Sequence, residues 1–230
     1  MQVQIIIFSG AGMSAESGIK TFRDSNGLWE NYNIHEVATP EAWKHNPDLV
    51  TDFYNQRRKQ IINSKPNEAH FAIAELEKKA KVQIITQNID DLHERAGSKN
   101  VLHLHGNIRY AKSSGPNQEK EYYPVDGWEL SENDKCPEGF RLRPHVVWFG
   151  ENVPMMERAI DLMVGATHFI VIGSSLQVYP AANLLSFCPP NAQKWIIDPK
   201  ADELNDGNEF RLINQKAVDG IQSLMKELIL

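Results

Sequence analysis

Residues Val3 to Phe8 read VQIIIF and run directly into Ser9-Gly10-Ala11-Gly12-Met13-Ser14. An apolar β-branched run with a glycine turn at its carboxyl end is the pattern of a buried parallel strand whose tip opens on a ligand crevice. The pattern recurs. Val82 to Ile85 (VQII) ends in TQNID, Phe169 to Ile172 (FIVI) ends in GSS, and Trp195 to Ile197 ends at Asp198-Pro199. Pro40 to Asn63 carries helical periodicity through Leu49, Phe53 and Arg57, and Pro66 to Lys79 carries it through Ala69, Ile73 and Leu76. Each has proline at a helix start. Ala217 to Leu230 repeats apolar residues at Val218, Ile221, Leu224, Met225 and Leu228 and is predicted to close the chain as an amphipathic helix. Strands alternating with helices predict an α/β fold, a Rossmann-like parallel sheet flanked by helices, with the four strand tips on one crevice.

Residues 108 to 140 are different in kind: polar, turn-rich and dotted with aromatics. They are predicted to form a small inserted lobe rather than a core strand or long helix. The main domain is then 1–107 plus 141–230, and part of the 32–66 helical region is expected to join the lobe. A chain of 230 residues suits one large domain with such an insert. Its formal charge of −6, without a long Lys/Arg block, argues against a nucleic-acid partner. The longest uncharged run, Leu162 to Gln193, is interrupted by glycines and prolines, so no membrane span is expected. No basic leader precedes the first apolar run, and no signal peptide is expected. Cys136 and Cys188 are the only cysteines. Two cannot make a disulfide framework or a four-thiolate metal site, which fits a reducing cytoplasm.

Gly10 to Ala15 matches G-x-G-x-x-[GA] after a buried strand, where glycines let backbone N–H groups approach a pyrophosphate. A dehydrogenase would continue into a helix and a second strand ending in an acidic residue. Here SGIKTFRDSNGLWE follows, with Gly18 and Gly27 where the helix should continue. That segment reads as a loop covering a cofactor, which weakens a hydride-transfer reading.

Five segments carry a resemblance: GAGMSAESGIKTFRDSNGLWE at 10–30, TQNIDDLHERAG at 86–97, HLHGNI at 103–108, RPHVVWFGE at 143–151 and GSSLQVYPAA at 173–182. In order and spacing they resemble the sirtuins, the NAD-dependent protein lysine deacylases, and most of all the bacterial subgroup that also accepts acidic acyl groups. The resemblance spans nearly the whole chain. It implies displacement of nicotinamide from NAD by an acyl-lysine amide oxygen, then proton abstraction from a ribose hydroxyl, and release of lysine and acylated ADP-ribose. His105 matches the family's catalytic histidine, and a neutral imidazole suits a base near pH 7. Asn88 and Asp90 match its other catalytic positions. The same residues also suit helix capping, and both roles can hold.

The resemblance also implies the cofactor contacts. At the nucleotide turn and covering loop these are Gly10, Ala11, Gly12, Ser14, Glu16, Ile19, Phe22, Arg23 and Trp29. At the second strand tip they are Gln87, Asn88, Ile89 and Asp90. Farther along they are Gly173, Ser174 and Ser175, then Asp198, Pro199, Lys200 and Ala217. Asp198 stands where the family commonly has Asn; a carboxylate accepts from ribose hydroxyls and repels a 2′-phosphate, which favours NAD over NADP. Tyr54 and Arg57, one turn apart on a predicted helix, match the subgroup's pair for the distal carboxylate of succinyl- or malonyl-lysine. Val147, Trp148, Phe149 and Gly150 resemble the edge that pairs with an extended substrate peptide.

The small lobe departs from the family. Most sirtuins hold one structural zinc there by two cysteine pairs; here the first pair, expected near Tyr110, is absent and only Cys136 remains. No metal is expected, and packing of Tyr110, Tyr122, Tyr123, Trp128 and Phe140 is expected to hold the lobe instead. His103 forms an H-x-H with His105, but no further pair completes a zinc shell, and it reads as a neighbour in the strand wall. The resemblance gives His93 no catalytic role. The altered lobe keeps open a non-catalytic NAD- or ADP-ribose-binding module, and NAD hydrolysis or mono-ADP-ribosyl transfer shares the nicotinamide-leaving step. Acyl-lysine proteins or peptides are the expected partners, and a monomer is expected.

Overall fold

The computed structural model describes residues 3–20, 32–204 and 210–228. In chain order its first elements are β1 (Gln4–Ser9), α1 (Gly12–Ala15), α2 (Ile34–Val37), α3 (Pro40–His45), α4 (Pro47–Asn63), α5 (Glu68–Leu76) and β2 (Lys81–Thr86). Then come α6 (Leu92–Arg95), β3 (Val101–His103), β4 (Gly106–Ser113), β5 (Tyr122–Pro124), β6 (Leu142–Val146) and α7 (Met156–Met163). The chain continues through β7 (His168–Ile172), a 3-10 helix (Ala181–Phe187), β8 (Gln193–Ile197), α8 (Ala201–Leu204), β9 (Arg211–Ile213) and α9 (Ala217–Glu227). The parallel sheet has the order β3-β2-β1-β7-β8-β9, and a second, antiparallel sheet has the order β5-β4-β6.

Alternate residues of the apolar strands serve different faces. Ile5 and Ile7, with Ile84, Ile170 and Trp195, pack beneath α5 and α9. Ile6 and Phe8, with Ile85, Phe169 and Val171, pack beneath α7 and the 3-10 helix. Burial on both faces is why these strands read as unbroken apolar runs instead of alternating ones. Among the described residues no helix is long and apolar enough to cross a membrane.

The single helix expected from Pro40 to Asn63 is two. Asn46 (φ −147°, ψ 77°) separates α3 from α4, and its side chain accepts from Leu49 N–H while Pro47 opens α4. A proline ring has no N–H for the ladder and collides with the carbonyl one turn back, so the break is dictated there. Likewise α5 starts at Glu68, since the Asn67 side chain caps the N–H groups of Ala69 and His70.

Residues 108–140, expected to lack a core strand, in fact continue β4, with Ile108 and Ala111 fully buried. Nor do the aromatics form that lobe's centre. Tyr110, Trp128 and Phe140 are 39%, 37% and 41% exposed, while Ala111, Val125, Leu130, Cys136 and Leu142 pack together with Tyr123 beside them. Strand alternation explains it: with Ala111 pointing inward, Tyr110 must point out. Helix α4 supplies further anchoring. Asn55 exchanges two hydrogen bonds of 2.9 Å with the Leu130 backbone, and the fully buried Arg58 donates to the carbonyls of Ile108 (2.6 Å) and Trp128 (2.8 Å).

The tips of β1 and β7 touch. A Cβ on Gly12 would lie 2.6 Å from Gly173 Cα, and one on Gly10 would lie 2.7 Å from the Gly173 carbonyl. Gly10 N–H donates to the Ile172 carbonyl and Gly12 N–H to that of Gly173. The glycines therefore serve strand-to-strand closure, which lays the floor of the crevice.

Candidate active site

Polar groups converge where β1, β2, β3 and β7 end. Asn88 is buried, and its amide donates to the Gly10 carbonyl (3.0 Å) and to Ser14 Oγ (3.1 Å). Ser14 Oγ in turn donates to Asp90 Oδ2 at 2.9 Å. The other Asp90 oxygen accepts from Leu92 N–H at 3.1 Å, so Asp90 holds the start of α6 as well as the Ser14 hydroxyl. Burial pushes the Asp90 carboxyl up, against the opposing pull of those two hydrogen bonds. Ser174 Oγ donates to Gln87 Oε1 at 2.8 Å and ties the β7 tip to that of β2. Leu176, just beyond, holds a φ of 52°, a strained setting for a non-glycine residue beside the crevice.

His105 follows β3. Its Nδ1 lies 3.1 Å from the Gln87 carbonyl, which can only accept, so Nδ1 carries the proton and Nε2 keeps its lone pair. Burial lowers the His105 pKa below 6.5, opposed by that hydrogen bond. The outcome is a neutral imidazole with one fixed tautomer and, among the described residues, no partner on its basic nitrogen. His103, two residues back, sits with Nδ1 3.0 Å from the Asn88 carbonyl and Nε2 2.7 Å from Glu94 Oε1. Both of its ring nitrogens are engaged within the protein.

Tyr54 and Arg57 are 2% and 7% exposed, and Tyr54 lies in the cluster of α2–α4 side chains that also contains Ile108, Val146 and Trp148. Burial drives the Arg57 guanidinium down and the Tyr54 phenol up, each moderated by the charge of the other. The α4 surface at this point thus turns inward, and the pair is not the surface aromatic and cation that helical spacing alone would suggest.

The segment after β6 is held from within the protein. Val147 N–H donates to the His105 carbonyl, Trp148 N–H to Glu151 Oε2 and Phe149 N–H to the Ala38 carbonyl. Those donors are spent on internal contacts; Gly150 turns the chain with a φ of 89°. Arg143 and Glu151, which sequence reasoning missed, hold this segment. Arg143 makes a two-pronged contact with the Glu151 carboxylate (2.6 and 3.1 Å), donates to the Val146 carbonyl and lies 3.2 Å from the Trp148 ring centre. An Arg and a Glu eight residues apart, on either side of a turn, carry no sequence signal of pairing.

The remaining expected contacts are distributed as follows. Ala11 caps α1, Ile19 is buried with the α2–α4 cluster, and Ile89 packs at its edge. Ser175 is half-buried beyond Ser174. Asp198 ends β8 and accepts from Lys200 N–H at 2.9 Å across Pro199. Glu16 Oε2 accepts from Val218 N–H at 2.9 Å, next to Ala217 at the start of α9. Phe22, Arg23 and Trp29 lie outside the described residues. His93 is buried with Nε2 3.0 Å from Ser9 Oγ and its ring edge-on to His70, a structural position behind the crevice.

Comparison with known proteins places this arrangement. Residues 10–180 match the Sir2 family. An NAD-dependent protein deacylase of Helicobacter pylori (strain ATCC 700392 / 26695) is 52% identical over 227 residues, covering 98% of this chain and 97% of its own. A solved Sir2 homologue in complex with NAD is similar with a TM-score of 0.86 and 39% identity, over 97% of this chain and 88% of the other. Another, a Sir2 protein with a deacetylated p53 peptide and 3′-O-acetyl ADP-ribose, gives a TM-score of 0.79 and 32% identity over 97% and 93%. With its parallel sheet, its glycine-closed strand tips and the His105–Gln87 contact in the matched region, the chain belongs to the Sir2 family.

Proposed function

We propose that this protein is an NAD-dependent protein-lysine deacylase that removes acetyl, succinyl and malonyl groups and releases nicotinamide and O-acyl-ADP-ribose. The observation that carries the reading is His105: one nitrogen tied to the Gln87 carbonyl and the other a neutral base, at the mouth shared by Asn88, Asp90 and Ser14. The donor set fits a dinucleotide. Glycines pave the first turn, hydroxyl and amide groups lie at the β2 and β7 tips, and the Asp198 carboxylate at the end of β8 suits ribose hydroxyls. NAD supplies the ribose carbon from which nicotinamide departs. The chain's residues do the rest: Asn88 and Gln87 orient the carboxamide and ribose, and His105 Nε2 takes the ribose hydroxyl proton. The buried Tyr54 and Arg57 supply a phenol donor and a guanidinium fork for an acidic acyl tail. An extended peptide beside 147–150 is received mainly by main-chain carbonyls, since the N–H groups of Val147, Trp148 and Phe149 are engaged.

The lobe does not fit the zinc that most of the family carries. Cys136 lies in the lobe's small core with its sulfur 3.4 Å from Ser113 Oγ, whereas Cys188 belongs to a different cluster beneath the main sheet. The buried Lys112, ion-paired to Glu119, adds a cation where a metal would need anionic ligands. A working enzyme without structural zinc follows.

Incubation of the purified protein with NAD and acetyl-, succinyl- or malonyl-lysine peptides, read by peptide mass and nicotinamide release, tests the reading. Loss of the acyl group with equimolar nicotinamide and acyl-ADP-ribose is expected, from protein with sub-stoichiometric zinc by elemental analysis. Nicotinamide release with an unchanged peptide would instead mean NAD hydrolysis, and one zinc per chain would overturn the metal-free lobe.

A further inference from the structure

The H-x-H pair holds two successive carbonyls of the β2 tip. His105 Nδ1 takes that of Gln87 at 3.1 Å and His103 Nδ1 that of Asn88 at 3.0 Å. These are the peptide units whose side chains line the proposed carboxamide and ribose site. The two rings differ in what their second nitrogen meets. His103 Nε2 lies 2.7 Å from Glu94 Oε1 and 3.3 Å from Asn107 Nδ2. The Asn88 carbonyl and the Glu94 carboxylate can only accept, so the charged imidazole donates to both at once, Nδ1 to the carbonyl and Nε2 to Glu94. The neutral ring has one proton for these two acceptors, and when that proton stays on Nε2 beside the Glu94 carboxylate the Asn88 carbonyl loses its donor.

Resting on the deacylase reading, we propose that His103, through its contact with Glu94, is a positioning residue that holds Asn88 in its working orientation only while the imidazole is charged. The groups around it support a charged form. Glu94 of α6 faces Nε2 directly, and Asp90 adds a second negative charge from the β2–α6 turn. His93 of α6 and His145 of β6 face it too, and burial keeps both of them neutral near pH 7. Glu119 stands across the pocket that His103 lines, paired with Lys112. Hydrogen bonding and charge from Glu94 raise the His103 pKa above 6.5 in spite of burial, while burial lowers that of His105. Two histidines two residues apart are thus pushed in opposite directions. His105 must be neutral to accept a proton and His103 charged to hold the tip, so activity is confined to the pH window between them.

The test compares pH profiles of kcat and of KM for NAD, with an acetyl-lysine peptide, for the natural protein and for Glu94→Gln, His103→Asn and His103→Leu. Glu94→Gln is expected to move the alkaline limb down by about one pH unit, a tenfold change in the ionisation constant, without moving the acid limb. His103→Asn keeps an N–H donor for the Asn88 carbonyl and cannot titrate; it is expected to retain most of kcat and to lose the alkaline limb. His103→Leu is expected to lose about 10- to 100-fold in kcat at every pH. NAD affinity by calorimetry over the same range is expected to follow the same order without turnover. Alkaline limbs and NAD affinities that coincide in the natural protein, Glu94→Gln and His103→Asn would overturn the proposal. An inactive natural protein whose NAD affinity still changes with pH in this order would refute the deacylase reading and leave the positioning role standing.

Discussion

Changing His105 to Ala is expected to reduce deacylation by about 10²- to 10⁴-fold, the usual contribution of a positioned general base. The geometry says why no neighbour should substitute. Asp90 has both carboxylate oxygens engaged, with Ser14 Oγ and Leu92 N–H, and both His103 nitrogens are bonded within the protein. His105, by contrast, has no partner on its basic nitrogen among the described residues, because the Gln87 carbonyl fixes the proton on Nδ1. In the proposed mechanism nicotinamide departs before the proton transfer, so exchange of labelled nicotinamide into NAD is expected to survive in the variant. The natural protein should also show an acid limb in kcat/KM with a midpoint below 6.5. The sign follows from burial: a neutral form favoured by the protein persists to lower pH, and the base is lost only once His105 is protonated. An Ala variant with unimpaired deacylation would remove His105 from the mechanism.

Changing Arg57 to Met is expected to lower desuccinylation and demalonylation about 100-fold while deacetylation stays within a few-fold. A buried charge pair deprived of one partner costs about 2–5 kcal/mol, which corresponds to that loss. Arg57 is 7% exposed, and burial works against its charge, with Tyr54 and Asp90 offsetting part of that cost. A carboxylate at the end of an acyl chain offsets much more, whereas an acetyl methyl offers nothing. Methionine keeps the length and much of the volume of the arginine stem, so the α4 cluster stays filled. Equal losses on acetyl and succinyl peptides, measured as kcat/KM, would show that Arg57 serves packing alone.

Much of this architecture can be read from the chain because the physics is local. Buried strands with both faces covered have to be apolar throughout, and their tips have to turn, so VQIIIF, VQII, FIVI and WII stand out. Strands β3 and β9 do not stand out: each has three residues at the margin of the sheet, all half-buried in β3 and running from exposed to buried in β9, too short for any periodicity. The break at Asn46-Pro47 was present in the residues, but periodicity on both sides of it masks the interruption. Side-chain pairings across long separations have no local trace. Asn55 and Arg58 reaching the lobe backbone, and Glu94 meeting His103, depend on how distant segments dock. The aromatic residues of the lobe mislead for a related reason, since size says nothing about which way a strand residue points. That His105, Asn88 and Asp90 lie at neighbouring strand tips could be expected from the motifs; the carbonyl that selects the His105 tautomer could not.

The central position of β1 has a consequence for how the molecule is made. Strand β1 pairs with β7, and Gln4 N–H must wait in synthesis for Thr167 Oγ1, 163 residues later. The turn after β1 waits longer still, for Val218 N–H to reach Glu16 from 202 residues away. Contacts of such separation assemble slowly, because the loop must close before they reward it. A chain cut before α9 therefore keeps His105, Asn88 and Asp90 but lacks the Val218 N–H that Glu16, just beyond the nucleotide turn, accepts from.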